Sequence, residues 1–403
     1  MIYIEQVNFC IVSTPDGRNA INIFEVYRGQ WALTQEGTFR QDPWFIVAGS
    51  QVLDMGFGRP PQDFFVKSLP EGVIVPGLVN AHTHLELSVL NKKIPEGCGL
   101  AGMAEAISSE RTLLSSATAR RAAIEQIANA FQEGTWFYND ISNNAEFTGF
   151  LRSVPEFAGN RFLELLGFQS PNDEQRMQIG KELIESDHEV ILTPHSVYGS
   201  SPAIMRFVNE YKRRSLLSIH LLESMEEHDL PHERGEIWEF LKKIGQAYRH
   251  TEIRQKNLLE YLYLQGIFSY KKLLLVHLSS AYPSEIDYLS EVVPHAAWVL
   301  CQRSNEHLHI QRKNWQALLN SPLTMLIGTD SAATSPDVSV LKEMYQIMKQ
   351  GQVSESRIWQ AATFSAYDYL EISQSHVPYF LYPEARPTLE SIASHAKAII
   401  LRG

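Results

Sequence analysis

The chain has 403 residues, 44% hydrophobic and 20% charged, an ordinary globular composition that excludes a disordered, fibrous or repeat-built protein. Its 35 Lys+Arg against 46 Asp+Glu leave a net charge of −11, which disfavours a nucleic-acid backbone as partner. The length allows two or three domains, or one large α/β barrel with an attachment.

The N-terminus, residues 1–10, carries Glu5 and no basic leader, and no stretch reaches the roughly 18–20 apolar residues of a membrane span. Cys10, Cys98 and Cys301 form no CxxC pair and fit a reducing compartment. The expected protein is therefore soluble, unexported and cytoplasmic, with no membrane partner. Strand-like runs at 1–9, 22–27 and 44–48, separated by turn signals such as Pro15-Asp16-Gly17, predict a small β unit. From Gly72 onward short apolar runs alternate with longer helical segments, the mark of βαβ units and a parallel sheet.

Eight such runs can be counted, at 73–80, 135–140, 161–167, 190–194, 216–220, 272–277, 297–301 and 323–328. Segments 118–132 and 341–349 have helical spacing and the length to cross over a sheet. The pattern predicts an α/β fold: a (β/α)8 TIM barrel with a small β-sandwich-like unit formed from the N-terminal segment and a C-terminal strand near 396–402. The expected divisions are 1–72, 73–375 and 376–403, with an extra helix or two in the charged stretch 221–270.

The strongest local signal is PGLVNAHTH, an apolar strand ending in His82-Thr83-His84. Side chains alternate along a strand, so both imidazoles share a face and can share a metal. His220, His277 and Asp330 end later strands, where barrel enzymes place their active sites. Burying such a set without a metal would leave several polar groups competing for partners.

The segments PGLVNAHTHLE, HLLES, the strand-ending His277, CQRSN and GTDS, in this order from Pro76 to Ser331, resemble the amidohydrolase superfamily. Within it they look like the mononuclear nucleobase and nucleoside deaminases and the chlorohydrolase-like enzymes. The resemblance implies that His82, His84, His220 and Asp330 bind one divalent metal, zinc or ferrous iron, both of which suit imidazole and carboxylate. Binuclear members carry a Lys after the fourth strand, where this chain reads Thr193-Pro194-His195, which favours one metal.

By position, the same resemblance makes Asp330 the group that takes a proton from the metal's water, His277 the group that holds or polarises that water, and Glu223 a proton shuttle to a ring nitrogen. A solvated helix-start carboxylate is the other reading of Glu223, which opens the acidic run 223–227. His195 stands where relatives place a substrate-contacting His, or is a satisfied loop residue. Ser304 and Asn305 fall in the relatives' Cys-Pro-x-Ser-Asn segment, with Gln302 in place of the Pro; Ser304 is alternatively a helix cap.

Glu86, in the HxHLExS pattern, looks like the corresponding residue of aminodeoxyfutalosine deaminases, where a carboxylate can accept hydrogen bonds from ribose hydroxyls or a ring edge. Otherwise it caps the loop or pairs with Lys92 or Lys93. Segment 99–111 has the look of the lid in those relatives but lacks their Trp, and the family's C-terminal Gly followed by Ala-Asp is absent.

The implied function is a metal-dependent aminohydrolase that releases ammonia from an adenine-type nucleoside or nucleobase, aminodeoxyfutalosine included. Its partner is a small molecule, and relatives are often homodimers or larger. A second reading keeps the site but acts on a chlorinated heteroaromatic ring or a cyclic amide. A third, a catalytically silent binding barrel, would be expected to have lost some of these ligands.

Overall fold

The computed structural model describes residues 8–13, 19–49, 51–60, 64–114, 116–167, 172–212, 215–245, 257–395 and 397–401. The expected turn at Pro15-Asp16-Gly17 and the first seven residues of the expected opening strand lie outside them. Among the described residues no helix is long and apolar enough to cross a membrane.

The N-terminal part forms β1 (Asn8–Ser13), β2 (Asn19–Arg28), β3 (Trp31–Leu33), β4 (Phe39–Gln41), β5 (Pro43–Ala48), β6 (Gln51–Phe57) and β7 (Val66–Ser68). The expected first barrel strand at 73–80 is in fact two strands, β8 (Gly72–Pro76) and β9 (Leu78–Thr83). Pro76-Gly77 makes the break. Trp136 packs so closely on Gly77 that a Cβ there would meet its ring at 2.1 Å, and Trp136 Nε1 donates to the Gly77 carbonyl at 3.1 Å. β8 leaves the parallel strands and pairs antiparallel with β17 (Tyr379–Pro383), which pairs in turn with β18 (Ile399–Ile400).

The remaining strands are β10 (Thr135–Ser142), β11 (Ala158–Leu165), β12 (Val190–Pro194), β13 (Leu216–Leu221), β14 (Lys272–His277), β15 (Ala297–Leu300) and β16 (Thr324–Ile327). Strands β9 to β12 form one parallel four-stranded sheet and β13 to β16 another. Every residue of β13, LLSIHL, is buried, as parallel strands covered on both faces require. Isolated parallel bridges join the sheets at their C-terminal ends, Ser196 to His220 and Thr83 to Asp330. Helices cross between the strands, as at Ala117–Gln132, where Ser116 caps the N-terminus by accepting from Ala119 N at 3.1 Å.

The strand order β1-β2-β5-β6 and the order β18-β17-β8-β3-β4 form two further sheets. Phe45, Val47 and Val52 from the first share a hydrophobic cluster with Ala32, Ile74, Tyr379 and Leu381 from the second. The stretch expected to hold extra helices contains Glu226–Asp229, Glu236–Lys243 and Leu258–Leu264 among the described residues.

Candidate metal centre and active site

His82 sits on β9 and His84 follows it directly; His220 is on β13, and Asp330 follows β16. Backbone bonds lock these ends together: His84 N donates to the Asp330 carbonyl at 2.8 Å, and His220 N donates to the His195 carbonyl at 2.9 Å. The side chains consequently converge. His220 Nε2 lies 3.2 Å from both His82 Nε2 and His84 Nε2, and Asp330 Oδ1 lies 3.6 Å from His84 Nε2 and 3.9 Å from His82 Nε2.

Burial pushes all three imidazoles below their ordinary pKa, and for His82 and His220 the neighbouring imidazoles add to the effect. Three neutral rings whose ε-nitrogens face one another have lone pairs in need of a common cation. Tetrahedral coordination at the usual Zn–N bond length places nitrogens about 3.3 Å apart, close to the observed spacing. The donor set therefore fits one divalent ion.

The ligands are themselves held. His220 Nδ1 donates to the His195 carbonyl at 3.0 Å and lies 3.4 Å from Glu164 Oε1, which fixes the tautomer that turns Nε2 inward. Glu164, His195 and His220 are also close enough to form a second cluster. The Nδ1 proton of His220 is already used, however, and Glu164 acts there as an orienting carboxylate. Asp330 Oδ2 accepts from Ser304 Oγ at 2.5 Å, leaving Oδ1 toward the imidazoles.

Glu223 is only 2% exposed, so the reading of a solvated helix-start carboxylate does not hold. Its Oε1 lies 3.6 Å from His277 Nε2. Burial, then the charges of Asp330, Glu227 and Glu226, push the Glu223 carboxyl well above its usual range. Burial likewise lowers His277 to about 4, keeping it neutral. Three strand ends turn through left-handed backbone: Leu222 has φ 50°, His277 φ 76°, Leu278 φ 50° and Asp330 φ 58°. Such conformations in β-carbon-bearing residues cost about 1–3 kcal/mol each and persist where surrounding contacts over-determine them. At the first corner, Glu227 accepts from Leu222 N at 3.1 Å and Glu223 N at 2.6 Å.

A cavity of about 750 Å³ opens above this floor. His84, His220, Glu223, His277 and Asp330 reach it, and so does His195, whose Nδ1 is 2.8 Å from Ser196 Oγ. Burial holds His195 down at about 3. Glu86, Ser304 and Asn305 do not line it. Glu86 is buried and accepts from Asn143 N at 2.7 Å; Ser304 bonds Asp330, and Asn305 Nδ2 donates to Ser279 Oγ at 2.8 Å.

Sequence reasoning missed Asn143, Glu164, Arg111 and Arg176, all of which line the cavity. Asn143 Nδ2 donates to Glu164 Oε2 at 2.7 Å. Arg176 donates to the Leu166 carbonyl, and burial together with the charge of nearby Arg111 lowers its pKa. Glu164, one residue from the end of β11, had the same strand-end signal as the histidines. Leu100, Met103 and Ile107 of helix Gly99–Ser109 and Ile237, Phe240 and Leu241 of helix Glu236–Lys243 form the apolar wall.

The amidohydrolase family profile matches residues 73–375. The aminodeoxyfutalosine deaminase of Deinococcus radiodurans is 25% identical over 301 residues, covering 68% of this chain and 67% of that protein. The 5-methylthioadenosine/S-adenosylhomocysteine deaminase of Nitratidesulfovibrio vulgaris is 24% identical over 352 residues, covering 83% and 70%. The crystal structure of Helicobacter pylori aminofutalosine deaminase with methylthio-coformycin superposes with a TM-score of 0.76 at 18% identity, covering 94% of this chain and 98% of that one. With the profile spanning most of the chain, this protein belongs to the amidohydrolase family, hydrolases of non-peptide carbon–nitrogen bonds.

Proposed function

We propose that the protein releases ammonia from the amidine carbon of an adenine-type nucleoside, and that its two parallel sheets close into one (β/α)8 barrel around the site. The observation that carries this reading is the His82, His84, His220 and Asp330 cluster beside buried Glu223 and His277, at the floor of one cavity. The deaminase relatives support it.

His82, His84, His220 and Asp330 would hold one divalent ion, zinc or ferrous iron by donor type, which would supply activated water near neutral pH. Asp330, its Oδ2 held by Ser304, is the carboxylate placed to accept a proton from the attacking water. Neutral His277 aligns the attack by a hydrogen bond. Glu223, whose burial favours its neutral form, gives its proton to a ring nitrogen as the water oxygen bonds the amidine carbon; the amine then takes the proton held by Asp330, the carbon–nitrogen bond breaks and ammonia departs, and the new hydroxyl returns its proton to Glu223 as the ring carbonyl forms. The apolar wall of the cavity excludes bulk water from the reacting carbon.

The lining of the cavity narrows the substrate. Arg111 and Arg176 both line it and feel one another's charge, with Asp173 near Arg176, an arrangement suited to an anionic group on the ligand. Aminodeoxyfutalosine and S-adenosylhomocysteine end in a carboxylate; adenosine and methylthioadenosine do not. We assign the carboxylate-tailed nucleosides as substrates, aminodeoxyfutalosine first.

The test is ammonia release by protein reconstituted separately with Zn and Fe(II), across these four nucleosides, free bases and chloro-triazines. Arg176→Gln should cut kcat/KM about 10- to 100-fold for the carboxylate-bearing nucleosides and leave adenosine within about 3-fold. Equal loss on all four would refute the anion assignment. Glu223→Gln should keep the metal and lose about 10²- to 10⁴-fold in turnover, whereas Asp330→Ala should lose both metal and activity. Undiminished turnover in Glu223→Gln would remove Glu223 from the mechanism.

A further inference from the structure

Arg312 lies in the non-helical stretch between helices Gln302–His307 and Trp315–Asn320, with no acidic partner at ion-pair distance in the described structure. Its guanidinium sits 5.5 Å from the Trp298 ring centroid and 5.3 Å from that of Trp315. Nη2 donates to the His277 carbonyl at 2.6 Å and to Ser279 Oγ at 3.0 Å, while Nε and Nη1 are hidden from solvent without a partner. A buried cation with unfilled donors is costly, and a carbonyl alone is poor compensation for its charge.

That carbonyl belongs to the residue with the largest positive φ of any non-glycine in the described structure, 76°. The next residue, Leu278, is also left-handed, and its carbonyl accepts from Asn314 Nδ2 at 3.0 Å. Asn305 completes the brace through Ser279 Oγ. The imidazole of the same residue lies beside Glu223, Nε2 at 3.6 Å from Oε1.

We propose that Arg312 is a positioning residue for His277: by gripping the His277 carbonyl it holds the left-handed corner that aims the imidazole into the site. The assignment rests on the deaminase reading above for its effect on turnover, and on geometry alone for its effect on His277. A misplacement of about 1 Å at an aligned group can cost about 10²-fold in rate while substrate contacts made elsewhere stay intact.

The test uses zinc-loaded full-length protein. Arg312→Met keeps the apolar stem against Trp298 and Trp315 but removes the donor; Arg312→Lys restores one donor. In Arg312→Met, kcat should fall at least about 10-fold with KM within about 3-fold and the zinc content unchanged, and Arg312→Lys should recover part of the loss. Independently, the ¹⁵N imidazole signals of His277 should shift in Arg312→Met and return toward wild type in Arg312→Lys, while those of His188 and His295, which contact the Ile184 and Tyr270 carbonyls, stay in place.

Unmoved His277 signals, or a loss shared among kcat, KM, zinc content and melting temperature, would overturn the proposal. If the wild type releases no ammonia from any nucleoside, the deaminase reading fails, and the His277 signals alone decide Arg312.

Discussion

Ser304 shows how a polar residue acts at this site without touching substrate. Its hydroxyl donates to Asp330 Oδ2 at 2.5 Å and lies 2.8 Å from Thr334 Oγ1, which turns Oδ1 toward the three histidines. Ser304→Ala should weaken zinc binding about 10- to 100-fold, read by chelator competition, with the melting temperature of the metal-free protein nearly unchanged. An unchanged zinc affinity would show that backbone alone holds Asp330. The residues of the cluster were legible in sequence, because period-two alternation put His82 and His84 on one face and the apolar runs marked His220 and Asp330 as strand ends, while their grouping as one metal set came from the family resemblance. The residues that hold them were not. Ser304 is 26 residues from Asp330 and Arg312 is 35 from His277, so nothing in the local pattern joins the pairs. Glu86 was read toward substrate from the HxHLExS resemblance, but it lies outside the cavity lining and accepts from Asn143 N.

At the scale of elements, the run at 73–80 shows what an apolar pattern conceals. Both halves are fully buried, so hydrophobicity continues across a break in which β8 joins one sheet and β9 another. Pro76-Gly77 carried the signal for that break. Gly77→Ala should destabilise the fold by about 1–3 kcal/mol, because the new methyl must displace the Trp136 ring from a packed position. Denaturant unfolding followed by tryptophan fluorescence checks it, and a loss under about 0.5 kcal/mol would mean that Trp136 moves aside freely. The three-residue strands β3, β4 and β7 escaped the sequence reading because alternation needs four or more residues to register. Strand β17 was missed for a different reason: YFLYP is apolar throughout, which leaves no alternation to read.

Across the whole molecule, the buried titratable groups act on stability in opposite directions. Burial pushes Asp140 up to about 7 and Glu86, Glu164, Glu227 and Glu343 each up to about 8. Above about pH 4.5 the unfolded chain releases these protons while the fold keeps them, so each group lowers stability as pH rises toward its folded value. The histidines work the other way. With His195 held at about 3 and His277 at about 4, the unfolded chain takes up protons below about pH 6.5 that the fold refuses, and stability falls as pH falls. The two sets oppose one another between about pH 4.5 and 6.5, and only the carboxylates act between 6.5 and 8. The metal-free protein should therefore melt at a lower temperature at pH 8.5 than at pH 6.5. Glu343 isolates one contribution, since it lies outside the cavity lining and its Oε1 accepts from Arg303 N at 3.0 Å while Oε2 has no partner. Gln at this position mimics the protonated acid at every pH. Glu343→Gln should leave the melting temperature near pH 4.5 unchanged and remove about 1.4 kcal/mol per pH unit of the decline between pH 6.5 and 8. Parallel melting profiles for the two proteins would mean that Glu343 is already ionised in the fold, its charge carried by the N-terminus of helix Gln302–His307 and by Arg303.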